Sequence, residues 1–350
     1  MGAIEIREYC GDFEDIAELT RRVWIPEYGG KIWVVIPHPA WLRWRFAPQA
    51  GASCLVAYDG TKLVGSVASF SQSLRIGSSV HSIALYTGFS VDPHHRGIAL
   101  PLIERLRREN EERGIAFATG MVIDDPRSAS YRFWTKYEQT FPQNFRFLFR
   151  GGFWAKFLAP RTLARASIEA WERMASKALG PLLRMTPYGR DPHVRPYRAA
   201  DLERCGQILD KASAHFDWAQ IWSREQLSYH LENSETKTLA FERDGCVHGM
   251  VSYNCSTLQG REPIRVALIN LWADDDLTGT ERVRLLGHLC TDLRDQDVHA
   301  VIAVRSSMIP TAALVANLFV PGSQRFRIGV FPTRHAISLS PPKTWSLEIT

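Results

Sequence analysis

The two halves of this 350-residue chain carry the same run of patterns in the same order. Ile6-Arg7-Glu8-Tyr9, followed by a helical pattern over 12–24, is answered by Val194-Arg195-Pro196-Tyr197 and a helical pattern through Leu202 and Ile208. Next, Cys54–Gly60 and Gly65–Ala68 read as a hairpin turning at Asp59-Gly60, and Thr238–Phe241, Asp244-Gly245 and Gly249–Ser252 repeat it. A strand over His81–Val91 corresponds to one over Pro263–Ala273, and a helix over Ile103–Gly114 to one over Leu286–Gln296. The strand Ile115–Ile123 corresponds to Val298–Val304. The run beginning Phe145-Arg146-Phe147 corresponds to the run beginning Phe326-Arg327-Ile328. Each half therefore reads β-α-(α)-β-β-β-α-β-α-β, a duplicated α/β domain with a mixed sheet. The expected organisation is one domain over 1–158, a connector over 159–190 and a second domain over 191–350.

Length supports two cores, since one core rarely serves much beyond ~250–300 residues. With 45% hydrophobic and 23% charged residues, the chain is not a disordered one. No apolar run reaches the ~18 residues of a spanning helix. The amino-terminal stretch MGAIEIREYC is charged and lacks an apolar signal segment, and Ile6 stands where a myristoylation signal needs Ser or Thr. A cytoplasmic protein is expected. Six cysteines (10, 54, 205, 246, 255, 290) show neither Cys-x-x-Cys nor paired Cys/His spacing, so they are read as small buried thiols and no metal site is expected.

The net charge of +5 is concentrated in the connector region. Residues 146–190 hold nine Lys/Arg against two Glu, a local +7, leaving −2 for the rest. A nucleic-acid footprint would spread basic residues over a folded face, so no nucleic-acid partner is expected. Within Pro160–Arg190, Leu163, Ile168, Trp171, Met174, Ala175, Leu179 and Leu182 recur at helical spacing, with Arg161, Arg165, Arg173 and Lys177 elsewhere on the wheel, and Gly180-Pro181 and Pro187-Tyr188-Gly189 then break the helix. Such a helix suits a membrane surface or a clamp between domains. Without a lipidation signal, the clamp is the reading adopted and no membrane partner is expected.

The segment Gly88-Phe89-Ser90-Val91-Asp92-Pro93-His94-His95-Arg96-Gly97-Ile98-Ala99-Leu100 reads as a strand, a glycine-containing turn and a helix start. A helix amino terminus presents free N–H groups and the positive end of a dipole, which suits a diphosphate. Gly97 and Ala99 are small enough for phosphate oxygens to approach, and His94, His95 and Arg96 add positive charge.

Here the first half resembles the GNAT acetyltransferase superfamily, over about residues 4–158. Val91-Asp92-Pro93 is similar to that family's strand end, Gly97-Ile98-Ala99 to its Gly-x-Gly/Ala turn, and Ser130-Tyr131-Arg132-Phe133-Trp134-Thr135-Lys136 to its Ser-x-x-Phe-Tyr-x-Lys segment. His94 stands at the family's Gln/Arg position, and Trp134 where many members carry a tyrosine that protonates the departing thiolate. No Glu lies in the strand 81–91.

The resemblance implies two tandem GNAT-like domains and transfer of an acetyl or short acyl group from acetyl-coenzyme A or a related acyl-coenzyme A to a small-molecule or peptide amine. A non-catalytic acyl-coenzyme A sensor is the alternative. His94, Arg96, Gly97, Ile98, Ala99 and Leu100 are assigned to the diphosphate, Phe89, Ser90 and Val91 to the thioester, and Ser128, Tyr131 and Trp134 to the pantetheine side. Tyr131 is the expected acid. His81 is the first-choice base, with Tyr86, Asp124 and Asp125 as other candidates and a water relay as the route that needs none of them. Trp24, Trp33, Trp41, Trp44 and Trp218 are either an aromatic acceptor pocket or plain core.

The matching turn of the second half, Asp274-Asp275-Asp276-Leu277-Thr278-Gly279-Thr280-Glu281, replaces the cations with carboxylates. Carboxylates beside a diphosphate repel it, so the second half is expected not to bind coenzyme A there. A solvated acidic helix cap is expected instead.

Overall fold

A computed structural model describes residues 4–46, 52–333 and 339–347. The first half runs β1 (Ile4–Glu8), α1 (Glu14–Tyr28), β2 (Val34–Ile36), α2 (Pro39–Phe46), β3 (Ser53–Asp59), β4 (Lys62–Ile76), β5 (Ser79–Val91), a 3-10 turn (Pro93–Ile98), α3 (Ala99–Glu112), β6 (Phe117–Ile123), α4 (Ala129–Thr140) and β7 (Arg146–Phe157). Three short helices follow: α5 (Pro160–Ala166), α6 (Ala170–Ala178) and α7 (Gly180–Leu183). The second half runs β8 (Val194–Pro196), α8 (Leu202–Ser213), β9 (Trp218–Ile221), α9 (Arg224–Leu231), β10 (Thr236–Arg243), β11 (Cys246–Gln259), β12 (Pro263–Asp274), α10 (Gly279–Asp295), β13 (Ala300–Val304), α11 (Thr311–Ala316), β14 (Val320–Pro332) and β15 (Trp345–Ser346).

The chain forms two compact units, Met1–Arg150 with Phe326–Pro341, and Gly151–Arg325 with Pro342–Glu348. The unit boundaries fall inside β7 and β14, so the last strand of each repeat ends in the other repeat's unit. This differs from the sequence-based boundaries at 158 and 190, because sequence pattern shows where a strand is but not which sheet takes it.

In the first unit the strand order is β1-β3-β4-β5-β6-β14. β4 and β5 are antiparallel, while β5 and β6 are parallel, with Ile83–Leu85 opposite Phe117–Thr119. β14 closes this sheet antiparallel to β6, Phe326 opposite Ile123 through Pro332 opposite Phe117. On one face lies α3, whose buried residues Ala99, Leu102, Ile103, Leu106 and Asn110 follow helical periodicity. Burial of Leu102, Ile103 and Leu106 against Leu55, Val64, Val67 and Ala84 stabilises by ~1.5–3 kcal/mol per side chain. α1 buries Ile16, Ala17, Leu19, Thr20 and Val23.

The second unit repeats the plan. Its order is β7-β13-β12-β11-β10-β8, with β12 and β13 parallel and α10 packing Leu285, Leu286, Leu289 and Leu293 on the sheet. α8 and α9 supply a second layer through Cys205, Ile208, Leu227 and Leu231.

Two readings need correcting. The connector is three helices instead of one: Ser167 is extended (φ −61°, ψ 135°) and donates its hydroxyl to the Leu163 carbonyl, a break the sequence did not mark, while the second falls at the Gly180-Pro181 breaker read from sequence. Of the six thiols, only Cys54, Cys205 and Cys290 are buried, whereas Cys10 and Cys246 are exposed and Cys255 lies between.

Candidate active site

Gly88 is the only residue type that adopts its backbone conformation (φ +63°) without strain, and it sits inside a strand. The local register explains why. Ser90 faces Ser66 and Thr87 faces Ala68, so Gly88 and Phe89 together oppose the single residue Val67. This β-bulge leaves the extra residue outside the ladder. On the other edge of β5, parallel pairing with β6 is last in register at Leu85 opposite Thr119. The ladder is thus interrupted at Gly88–Phe89, where the Gly88 carbonyl accepts from the Ser66 hydroxyl (3.1 Å).

The side chains on either side of the bulge point apart. The Phe89 ring lies 5.6 Å, centroid to centroid, from both Phe133 and Trp134 of α4. Ser90 is buried the other way, its hydroxyl 3.3 Å from that of Thr20 on α1. Val91 packs half-buried on the core. Phe46 of α2 lies 3.7 Å from where a Gly88 Cβ would stand.

Asp92 ends β5 and organises the turn. Its N–H donates to the Val64 carbonyl (2.8 Å), and its carboxylate accepts from the His94 N–H (3.0 Å) and faces Lys62 (3.2 Å). Burial opposes its charge, but the His94 N–H and Lys62 outweigh burial and hold the carboxyl below the usual aspartate range.

His95 is turned inward, 3.1 Å from the Asp59 carboxylate and 3.6 Å from that of Asp92. It belongs to the turn's framework and is not a ligand-facing cation, contrary to the sequence reading. His94, Arg96, Gly97 and Leu100 are exposed together, while the Ile98 and Ala99 side chains are buried and leave only backbone to a ligand.

A Cβ at Gly97 would meet nothing within 4 Å. Arg96 has no carboxylate partner among the described residues. α3 has no side-chain cap and no acidic residue in its first turn, although the Ala99 N–H is already given to the Arg96 carbonyl and Pro101 has none. The corner is thus open, cationic at Arg96, and formed by a 3-10 turn running straight into the helix.

α4 brings the third side. Ser128 is fully buried as its N-cap and accepts from the Tyr131 N–H (3.3 Å). Trp134 is core, packed against Tyr137, Phe145 and Phe331. Tyr131 is half-buried, and its hydroxyl accepts from Arg327 (3.2 Å), whose guanidinium also lies 5.0 Å over its ring.

The candidate bases fare differently. His81 stands eight residues before Phe89 on the same strand, ~26 Å away at ~3.3 Å per residue, too far to take a proton at the bulge. The Tyr86 hydroxyl accepts from Asn110 (3.0 Å) and is pushed above its ordinary value by burial. Asp124 is held by Arg327 (2.6 Å) and Arg150 (3.0 Å). Asp125 is held by Arg127, whose hydrogen bond keeps its carboxyl below the usual range. Every side-chain candidate named from sequence is thus distant or engaged.

Among the tryptophans, Trp44 and Trp218 are core, while Trp24, Trp33 and Trp41 are half-buried, Trp41 edge-on to Trp44 and Phe46.

Sequence reasoning missed Arg327 and Tyr28. Arg327 lies about 200 positions from Tyr131 and arrives only because β14 joins this unit. Tyr28, whose hydroxyl is raised to about 12 by burial, meets the Ser128 side chain and the Ser130 backbone. No pattern around either residue marked it.

The equivalent corner of the second unit keeps a bulge, since Ser252 faces Leu271 and Tyr253 faces Ile269. Its turn, however, is filled by the chain itself. Asp274 pairs with Arg282 (2.6 Å), Asp275 with Arg204 (3.0 Å) and Lys211, and Asp276 with Arg243 (3.3 Å) and His248 (2.6 Å). The helix cap is Thr278 with Glu281, and Glu281 pairs with Arg243 (2.8 Å). The acidic run is thus an ion-pair cluster, where the sequence suggested a solvated cap.

Residues 9–137 match the family model described as an acetyltransferase (GNAT) domain. No curated protein matches the sequence. Among solved structures, Saccharomyces cerevisiae N-myristoyltransferase with bound myristoyl-CoA is similar in fold, with a TM-score of 0.76 and 12% identity over 97% of this chain and 84% of that one. A conserved protein of unknown function from Enterococcus faecalis V583, titled a probable N-acyltransferase, is similar with a TM-score of 0.55 and 11% identity, over 95% of this chain and 73% of that one. Two tandem GNAT-like domains account for the architecture. The family model thus marks a GNAT domain over residues 9–137, and the solved structures show the fold of the chain.

Proposed function

We propose that the first unit transfers an acetyl or other short acyl group from acyl-coenzyme A to an amine, and that the second unit does not bind coenzyme A at its equivalent corner. The observation that carries this reading is the bulge at Gly88–Phe89 beside an open turn whose Arg96 is unpaired among the described residues. In this reading the diphosphate lies at Arg96–Gly97 with His94 beside it. The thioester carbonyl points at the backbone of Phe89, whose N–H holds the oxyanion. The amine nitrogen bonds to the carbonyl carbon, the C–S bond breaks, and the thiolate takes a proton. Tyr131 is the proposed donor, because its hydroxyl accepts from Arg327 and keeps its own hydrogen to give. The amine's proton leaves through water, since no candidate carboxylate or imidazole is free near the bulge.

A short acyl group suits the packing, because Phe89, Phe133 and Trp134 close on one another behind the bulge. The fold likeness to an N-myristoyltransferase favours a second reading, a long acyl chain.

The test is thiol release by the purified chain with acyl-coenzyme A from two to fourteen carbons over a panel of small amines and peptides. Release confined to short chains, reduced at least tenfold in Tyr131→Phe, is the expected result. Release only with long chains supports the second reading, and binding without release from any amine refutes catalysis in favour of a sensor.

A further inference from the structure

The connector presents its apolar side chains to solvent. Trp171 is 56% exposed, Met174 68%, Leu179 50%, Leu182 52% and Met185 54%. Large side chains this open are scarce elsewhere among the described residues, and here they fall within one short stretch. A soluble surface that gathers them is an interaction site. In the same stretch Leu163, Ile168 and Leu183 are buried.

The ridge is held on a fixed base. Trp171 and Met174 are one turn apart on α6, and Leu179, Leu182 and Met185 stand just before, within and just after α7. Arg173 donates to the Ile168 carbonyl (3.0 Å), the buried Lys156 ammonium to the Met185 carbonyl, and Arg294 to the Thr186 hydroxyl (2.9 Å). Beside the ridge stand Arg161, Lys177 and Arg184, all exposed and without an ion pair among the described residues. By contrast, Arg165 and Arg190 are spent on Glu262 and on Asp292 and Asp295.

We propose that residues 161–185 dock the protein on an anionic lipid surface. Trp, Met and Leu inserted at the headgroup boundary, with unpaired Lys and Arg at the rim, match what such a surface binds. The charge selects lipid over a second copy of this chain, because two like-charged rims would repel. Among the described residues no helix is long and apolar enough to cross a membrane, so this contact is peripheral.

The experiment is co-sedimentation of the full chain with vesicles of phosphatidylcholine alone and of equimolar phosphatidylcholine and phosphatidylserine, at low and high salt. Binding to the anionic vesicles, lost at high salt, is expected. Lys177→Glu with Arg184→Glu should weaken partitioning at least ~25-fold, taking ~5-fold for each cation removed. Trp171→Glu with Met174→Glu should abolish it. Val315→Glu, at a residue 54% exposed on α11, should leave it unchanged. All variants change exposed positions, and an unaltered circular dichroism spectrum establishes that they fold.

Failure of the wild-type chain to bind anionic vesicles overturns the proposal, as does binding that is indifferent to both double variants. So does a concentration-dependent dimer dissolved by Trp171→Glu in the absence of lipid binding, which would make the ridge a self-association surface.

Discussion

Gly97→Glu is the sharpest test of the diphosphate corner. A side chain there enters open space, so the apo protein should fold normally. At ~5 Å from a diphosphate, and at the effective dielectric of ~20 that suits protein sites, the new carboxylate costs about 3 kcal/mol per charge pair. One pair alone raises the dissociation constant for acetyl-coenzyme A roughly 100-fold. At a ligand concentration 100 times the wild-type constant, wild type gains about 2.7 kcal/mol, and the variant only about 0.4 kcal/mol. In a thermal-shift assay that separates a rise of roughly 5–10 °C from one of about 1 °C. Gly279→Glu is the matched control, because it too meets nothing within 4 Å but stands in the ion-paired turn of the second unit. It should keep the full shift. Equal loss in both variants, or an undiminished shift in Gly97→Glu, would refute the assignment of the site.

Three further outcomes follow from the geometry. Gly88→Ala and Gly77→Ala both place a side chain at positive φ (63° and 58°) and should each cost ~1–2 kcal/mol, but only Gly88→Ala should weaken acyl-coenzyme A binding; equal binding in the two variants argues against the bulge as the thioester site. Burial lowers Lys156 from 10.5 to about 8, so between those pH values the unfolded chain holds a proton that the folded one has lost, and stability rises with pH. Urea unfolding should show wild type gaining about 2–3 kcal/mol on Lys156→Met between pH 7 and 10, and parallel pH curves would contradict this. Residues 1–158 expressed alone should lack a cooperative unfolding transition, since Phe331 and its strand are missing; a cooperative, ligand-binding fragment would restore the sequence-based domain boundary.

The repeat was legible because strand and helix periods differ and each half carried them in the same order. Gly97 was named as a small residue in a turn, and the structure shows the space around it to be open, so packing does not dictate glycine there. Gly88 is a different case: an isolated glycine inside a strand signals a bulge, and the bulge lies at Gly88–Phe89, one position earlier than the Phe89–Val91 segment named for the thioester. His81 shows the limit of residue type as a guide. Imidazole chemistry recommended it, whereas the rise per residue along β5 removes it from the site. The inward turn of His95 depends on Asp59, 36 positions away, and the clamp on Tyr131 depends on a strand from the other repeat. Such long-range placements leave no local pattern to read.

That strand is also a structural part of the first unit. β14 completes the first unit's sheet, and its contribution goes beyond backbone pairing. Phe331 packs 4.7 Å from both Tyr86 and Phe145 and 5.2 Å from Trp134, the ring that backs Phe89. Thr119 donates its hydroxyl to the Gly329 carbonyl (3.0 Å), and the Thr333 hydroxyl lies within donating distance of the Ile115 and Ala116 carbonyls just before β6 (2.6 and 2.8 Å). Gly329 itself is dictated by this docking, because a Cβ there would lie 2.4 Å from the Phe145 ring. Arg327 then reaches Tyr131 and Asp124 from the same strand. The second repeat's turn is thus occupied by its own ion pairs, while its last strand supports the α4 wall of the proposed site.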